Sequence, residues 1–120
     1  LEFDDDIYAQ CHASWTNWKN IFSFEIFGNK GYIKIEGLGG NYGKESFEVA
    51  YRNNKSSIPT IDNFQYDDGD LSWTLEWKDF KKAIKNNNQA SGSGEDGYAA
   101  NLIIDAIYES NKLNKPININ

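Results

Sequence analysis

The chain contains no methionine, one cysteine, two prolines and no long apolar run. A single cysteine, Cys11, excludes an internal disulfide and is typical of a reducing compartment, and we interpret it as a small core residue. No stretch approaches the roughly 18 consecutive apolar residues of a transmembrane helix, and no charged-then-apolar leader opens the chain. These absences favour a cytoplasmic protein that has no membrane partner.

Basic residues are also scarce, with 12 against 18 acidic ones and a formal net charge of −6. They are scattered singly except for Lys81 and Lys82, so no stripe exists to neutralise the phosphates of a nucleic acid. Nucleic acid is therefore not an expected partner. The length of 120 residues predicts a single domain, residues 1–120, with an ordinary core.

Alternation of apolar and polar side chains predicts strands in the first half of the chain. The turn sequence Gly28-Asn29-Lys30-Gly31 predicts a tight antiparallel hairpin, because it supplies the positive backbone angles of a reversal. The glycine-rich residues 37–43 are typical of a loop, and residues 53–69 of an irregular connection. The predicted strands are Ile7–Trp15, Phe22–Phe27, Tyr32–Glu36, Ser46–Arg52, a short one at Phe64–Tyr66 and an edge strand at Ile117–Ile119.

Two helices are predicted in the second half. The first has an apolar stripe with intervals of four, three and four, formed by Trp73, Trp77, Phe80 and Ile84. Asp70 or Ser72 is its expected cap. The second follows Ser93 and ends before Pro116. Strands followed by helices predict an α+β fold, a largely antiparallel β-sheet with two helices packed on one face.

Several apparent motifs fail on their context. Residues 92–97 match the dinucleotide pattern GxGxxG, but a helix precedes them and two carboxylates occupy the helix start, so we interpret them as a cap. The glycines before Lys44 do not have phosphate-loop spacing. Cys11 and His12 point to opposite faces of a strand, and the acidic clusters at residues 4–6 and 67–70 lack calcium-loop spacing. No catalytic, cofactor-binding or metal-binding residue is predicted.

Five segments together resemble the C-terminal domain of the glucose-fructose oxidoreductase, inositol dehydrogenase and rhizopine-catabolism (Gfo/Idh/MocA) family. They are Trp-Lys-Asn at 18–20, the hairpin at 27–35, the loop at 37–43, Trp-Lys-Asp-Phe at 77–80 with Ala83 and Ile84, and the helix that follows Ser93. The resemblance implies a substrate-side and oligomerisation domain of an NAD(P)-dependent oxidoreductase that transfers hydride to or from a sugar, nucleotide sugar or polyol. It also implies a homo-oligomer formed through the open sheet face.

In that family the cofactor lies in an N-terminal Rossmann domain, and no such domain is visible in this sequence. The family's Glu-Lys-Pro motif does not match Lys115-Pro116, which follows Asn114, and its acid-base histidine does not match His12, because Tyr8 stands where an aspartate is usual. We therefore expect the chain to be a piece of a longer enzyme, partnered there by its own Rossmann domain, and inactive alone.

Four residues are the candidate substrate contacts. Lys19 and Asn20 offer donors and acceptors suited to hydroxyl groups, beside Trp18, and the glycines around Tyr42 permit close approach of a ligand. Two other functions stay open, a stand-alone carbohydrate-binding module and a structural interaction domain. A binding module needs an exposed aromatic platform such as Trp15 with Trp18, whereas we interpret Trp15 as a core anchor because it ends the apolar face of its predicted strand.

Overall fold

The structure is a computed structural model that describes residues 1–53, 55–67 and 69–119. The chain forms two compact units, Leu1–Leu71 and Ser72–Asn120. All of the described strands lie in the first unit and both of the described helices in the second. The predicted α+β class is thereby confirmed, whereas the packing of the helices on the sheet stays a prediction.

A four-stranded antiparallel meander dominates the first unit, with its strands paired in chain order. The strands are β3 (Ser23–Gly28), β4 (Gly31–Glu36), β5 (Glu45–Tyr51) and β6 (Thr60–Tyr66), and they follow a two-stranded hairpin of β1 (Glu2–Phe3) and β2 (Ile7–Tyr8). The predicted hairpin is confirmed, since Gly28 lies opposite Gly31 at the turn. The strand predicted around Phe64 is longer than expected, because β6 pairs with β5 along its whole length.

The register of the meander gives the sheet one apolar and one mostly polar face. Cross-strand partners share a face, and the chain alternates faces at every residue. The apolar face carries Phe24, Ile26, Ile33, Ile35, Phe47, Val49 and Phe64. On it the rings of Phe47 and Phe64 stack with their centroids 6.0 Å apart, and such cross-strand aromatic pairs stabilise a sheet.

Hydrogen bonds connect the strands across the polar face. The Tyr32 hydroxyl donates to the Glu48 carboxylate at 2.6 Å, and the Asn63 amide donates to the same carboxylate at 3.3 Å. The bond to Glu48 raises the pKa of Tyr32 above its usual value, with burial as the second cause. Lys34 forms an ion pair with Glu36 at 3.0 Å, which raises the pKa of that lysine.

A close approach of two strands makes glycine necessary at position 31. A Cβ atom placed on Gly31 would lie 2.0 Å from the carbonyl oxygen of Ala50. Ala50 is 1% exposed, so no room is left for the added atom to displace it toward solvent. The Arg52 N–H donates to the Lys30 carbonyl at 2.7 Å and continues this pairing into the turn.

The strand predicted from Ile7 to Trp15 is largely wrong. Only Ile7 and Tyr8 pair, with Phe3 and Glu2, and the last bond of this hairpin joins the Ala9 N–H to the Leu1 carbonyl at 2.9 Å. Residues 9–22 have no strand assignment. Apart from bonds at the two ends, between Ala9 and Leu1 and between Phe22 and Gly37, their backbone faces no described strand, and alternation alone cannot supply one.

The second unit consists of α1 (Ser72–Asn86) and α2 (Gly94–Leu113). Ser93 caps α2 as predicted, and its hydroxyl accepts from the Asp96 N–H at 3.1 Å. The helix ends at Asn114 in the left-handed conformation, with φ 51°, two residues before Pro116. The edge strand predicted at Ile117–Ile119 is wrong, since these residues are not paired with any described strand.

Candidate functional site

Two segments that are distant in sequence meet at one end of the sheet. The Asn20 side-chain amide donates to the Asn41 carbonyl at 3.3 Å, and the Gly37 N–H donates to the Phe22 carbonyl at 3.3 Å. These bonds place Asn20 beside the loop that carries Tyr42, with Trp18 and Lys19 directly before it in the chain. We call the surface formed by Trp18, Lys19, Asn20 and Tyr42 the Trp18–Tyr42 surface.

The loop in this surface is held by its own hydrogen bonds. Gly37 has φ 77°, and a Cβ there would lie 2.4 Å from the Lys44 carbonyl oxygen, so only glycine fits. The Gly39 N–H donates to the Glu45 carboxylate at 2.7 Å, and the Tyr42 N–H donates to the Leu38 carbonyl at 3.2 Å. Tyr42 is thereby presented on an organised loop, with 41% of its surface exposed.

The two tryptophans of the segment that leads to Asn20 are fully exposed. Their exposed fractions are 104% for Trp15 and 105% for Trp18. The interpretation of Trp15 as a core anchor is therefore wrong, because its segment is not a strand and has no apolar face to end. The local turn is fixed by the Ser14 hydroxyl, which accepts from the Thr16 N–H at 3.1 Å.

Cys11 lies on the same irregular segment and is exposed, so its interpretation as a core residue is also wrong. His12 is exposed beside it. Among the residues that the structure describes, no group of three or more histidine, cysteine or acidic side chains is arranged to hold a metal ion.

The chemistry available at the Trp18–Tyr42 surface is binding chemistry. An exposed indole stacks on the apolar face of a ring, while an ammonium group, a carboxamide and a phenol exchange hydrogen bonds with hydroxyl groups. Lys44, at the edge of the loop, has a structural role instead, since it pairs with Asp67 at 2.9 Å and with the Gln65 amide oxygen at 3.1 Å.

The GxGxxG match at residues 92–97 does not form a dinucleotide cradle. It follows α1 and a turn rather than a strand, and the Asp96 carboxylate accepts from the Ser93 N–H at 2.8 Å. That backbone bond, assisted by the Ser93 hydroxyl, lowers the pKa of Asp96. The start of α2 therefore already holds an anion where a pyrophosphate would bind.

Sequence reasoning missed the residues that position this surface. Glu45 orders the loop through Gly39, and the Asn41 carbonyl receives Asn20. One signal for this contact was available in the sequence. Glu45 directly follows Lys44, where it argues against a phosphate loop, and its carboxylate lies within reach of the N–H groups of the glycine loop. The acidic cluster at 67–70 includes position 68, which lies outside the described residues.

Comparisons with protein families, with curated proteins and with solved structures found no match to this chain. The family resemblance therefore rests on the five sequence segments alone. Within the described ranges, neither helix has the length and apolar content needed to cross a membrane.

Proposed function

We propose that this chain is the substrate-side and oligomerisation domain of an NAD(P)-dependent oxidoreductase, acting on a sugar, nucleotide sugar or polyol in the cytoplasm. The observation that carries the proposal is the meeting of two resembling segments, 18–20 and 37–43, at one end of an antiparallel sheet. Hydride transfer needs a nicotinamide and an acid-base residue. The proposal assigns both to a Rossmann domain of the parent protein, as the family resemblance implies.

In this role the chain binds and orients the substrate. Trp18 covers an apolar ring face, and Lys19, Asn20 and Tyr42 bond to hydroxyl groups. Because Asn20 also donates to the Asn41 carbonyl, at 3.3 Å, its position is fixed before the ligand arrives. Pre-ordered contacts of this kind lower the entropic cost of binding.

The gene upstream of the Leu1 codon provides the direct test. We expect it to encode a strand followed by GxGxxG and, further on, a Glu-Lys-Pro motif. An upstream region that encodes an unrelated domain would contradict the proposal. Titration of the isolated chain with NAD(H) and NADP(H) by calorimetry should show no micromolar binding and no turnover of sugars, whereas micromolar affinity would assign the cofactor site to this chain.

The four candidate substrate contacts must be tested by kinetics in the intact parent enzyme. Lys19→Ala and Tyr42→Ala should each raise KM for the true substrate about tenfold, as expected for loss of one or two hydrogen bonds. Lys112→Ala, on α2, is the matched control. Unchanged kcat and KM in both variants would remove these residues from the site.

The proposed oligomer forms through the polar face of the sheet, where Phe27 is 71% exposed and lies 5.5 Å from the Tyr32 ring, centroid to centroid. An exposed aromatic ring beside a half-buried one on a sheet face is typical of a subunit contact. Light scattering at tens of micromolar should give a dimer or larger, and Phe27→Lys should shift it toward monomer. A wild-type chain that is monomeric at this concentration would refute the contact.

The full exposure of Trp15 and Trp18 favours a second candidate function, a carbohydrate-binding module. Two exposed indoles three residues apart offer a stacking platform for sugar rings. Tryptophan fluorescence of the isolated chain, titrated with oligosaccharides, separates the two functions. A spectral shift that is lost in Trp18→Ala and kept in Trp73→Ala supports the module, whereas no shift with any glycan leaves the oxidoreductase role as the better account.

A further inference from the structure

A cavity lies at the opposite end of the sheet from the Trp18–Tyr42 surface. It has a volume of about 580 Å³ and is lined by the β3–β4 turn and the connection from β5 to β6, with Phe27, Asn29, Tyr51, Arg52, Ser56 and Ser57 in its wall. Cavities of this size accommodate small-molecule ligands. We call it the hairpin-end pocket.

Charge is unevenly distributed around this pocket. Its two connections and the strand ends beside them, residues 27–32 and 50–61, contain Lys30, Arg52 and Lys55 and no acidic residue, although the chain as a whole carries −6. The three cations are exposed, and none of them forms an ion pair with another described residue. The two connections themselves are therefore positive in an acidic protein.

Screening removes only the distant acidic residues from the field in this pocket. Six residues of β4 separate the pocket from the loop that begins at Gly37, a span of roughly 20 Å at the rise of an extended strand. The Debye length at physiological salt is about 8 Å, so the acidic residues beyond that loop are screened. Glu25 and Glu48 are closer, two strand positions from the lining residues Phe27 and Ala50, and they act against an anion there.

Aromatic rings and neutral donors complete the wall. Phe27 is 71% and Tyr51 54% exposed, so both rings are accessible for stacking. The Lys55 N–H donates to the Asn53 side chain at 2.9 Å, and the Ile58 N–H donates to the Ser56 hydroxyl at 3.1 Å. The nearby Glu48 carboxylate already accepts from Tyr32 and Asn63.

We propose that the hairpin-end pocket binds an organic phosphate, with Arg52 on the phosphate group and the ligand's ring against Phe27 or Tyr51. A guanidinium pairs with phosphate oxygens through two parallel hydrogen bonds, which a lysine cannot reproduce. The site shares no residue with the Trp18–Tyr42 surface, but a subunit contact at Phe27 would compete with the ligand for that ring.

The test is an NMR titration of the full chain, labelled with ¹⁵N, using uridine diphosphate, inorganic pyrophosphate and uridine as probes. Uridine diphosphate should change the amide chemical shifts of Asn29, Gly31, Arg52 and Ser56. The dissociation constant from this titration should be sub-millimolar and lower than that of either other probe. Arg52→Gln should weaken it about tenfold. Its backbone N–H still bonds to Lys30, so the fold is retained, and an unchanged amide spectrum elsewhere verifies this. Lys112→Gln is the matched control and should bind as the wild type does.

Three results would overturn the proposal. The first is the absence of amide shifts when uridine diphosphate is present in tenfold molar excess over the protein. The second is an equal affinity of the Arg52→Gln variant and the wild type for uridine diphosphate. The third is shifts spread over lysines of both units, which would indicate non-specific attraction. Equal binding of pyrophosphate and uridine diphosphate would refute the assigned stacking on Phe27 or Tyr51.

Discussion

The β3–β6 meander and the N-terminal segment of residues 1–22 contain the same sequence signal and differ in structure. Both have apolar residues at alternate positions. In the meander every residue of β3 pairs with β4, from Ser23 opposite Glu36 to Gly28 opposite Gly31, whereas the N-terminal hairpin contains two pairs. Alternation thus selects the face that a residue occupies, and a facing strand with a suitable turn determines whether the strand forms.

Gly31→Ala should have the largest effect, because it breaks the meander where two strands approach most closely. The added methyl group would lie 2.0 Å from the Ala50 carbonyl oxygen. The backbone of β5 cannot move away from it without losing hydrogen bonds to β4. We expect a loss of about 3 kcal/mol in the free energy of unfolding, measured by urea denaturation.

Gly28→Ala, at the other side of the same turn, is the matched control. A Cβ there would meet only the Gly31 carbonyl oxygen, at an ordinary 3.6 Å. We expect a change of about 0.5 kcal/mol or less in the free energy of unfolding. Equal losses in the two variants would show that the turn tolerates no side chain at all, and the close approach to Ala50 would not be the cause.

Phe47→Ala and Phe3→Ala compare one residue type in the two regions. Phe47 is half-buried in β5 and stacks on Phe64, whereas Phe3 is 51% exposed in a two-residue strand. Truncation of Phe47 should cost about 2 kcal/mol in the free energy of unfolding, and truncation of Phe3 about 0.5 kcal/mol or less. Similar urea midpoints for both variants would contradict the difference between the regions.

The elements that were predicted well from the sequence are specified by residues within the element itself. The β3–β4 hairpin has Gly28 and Gly31 at its turn, and α2 has Ser93 and Asp96 in a capping box. These signals act within a few residues, so they are readable without the rest of the fold.

The elements that were predicted poorly depend on distant partners. β6 extends from Thr60 because β5 offers a full edge, and residues 10–21 stay irregular because no described strand faces them. The candidate site follows the same rule. Its residue types were readable, but the bond from Asn20 to Asn41 joins positions 21 apart and has no local signature.

Alkaline pH should weaken the meander through Tyr32. The hydrogen bond to Glu48, and then burial, raise the pKa of Tyr32 above 10.0. The neutral phenol is thus favoured in the folded state, so its stabilisation is complete below pH 10 and is lost as pH rises through the higher folded pKa. Urea midpoints should fall less between pH 9 and 11 in Tyr32→Phe than in wild type. Tyr98→Phe, in α2, is the control, and identical slopes for wild type and Tyr32→Phe would exclude this linkage.

Asp6→Gly should have the smallest effect and sharpens the comparison between the two regions. Asp5 and Asp6 both have positive φ, 61° and 57°, and a reversal of this kind favours glycine at its second position. Relief of that strain, partly offset by the entropy of glycine, should stabilise the N-terminal hairpin by about 0.5 kcal/mol. Amide hydrogen exchange is the measurement.

Protection in Asp6→Gly should rise at Ala9, whose N–H donates to the Leu1 carbonyl at 2.9 Å. It should stay absent at residues 10–15, because a better turn does not provide a facing strand. Asp4→Gly, at a position outside the positive-φ pair, is the control and should not raise protection. If Asp6→Gly instead protected residues 10–15, the turn rather than the missing partner would limit this strand, and the explanation of the difference from the meander would be wrong.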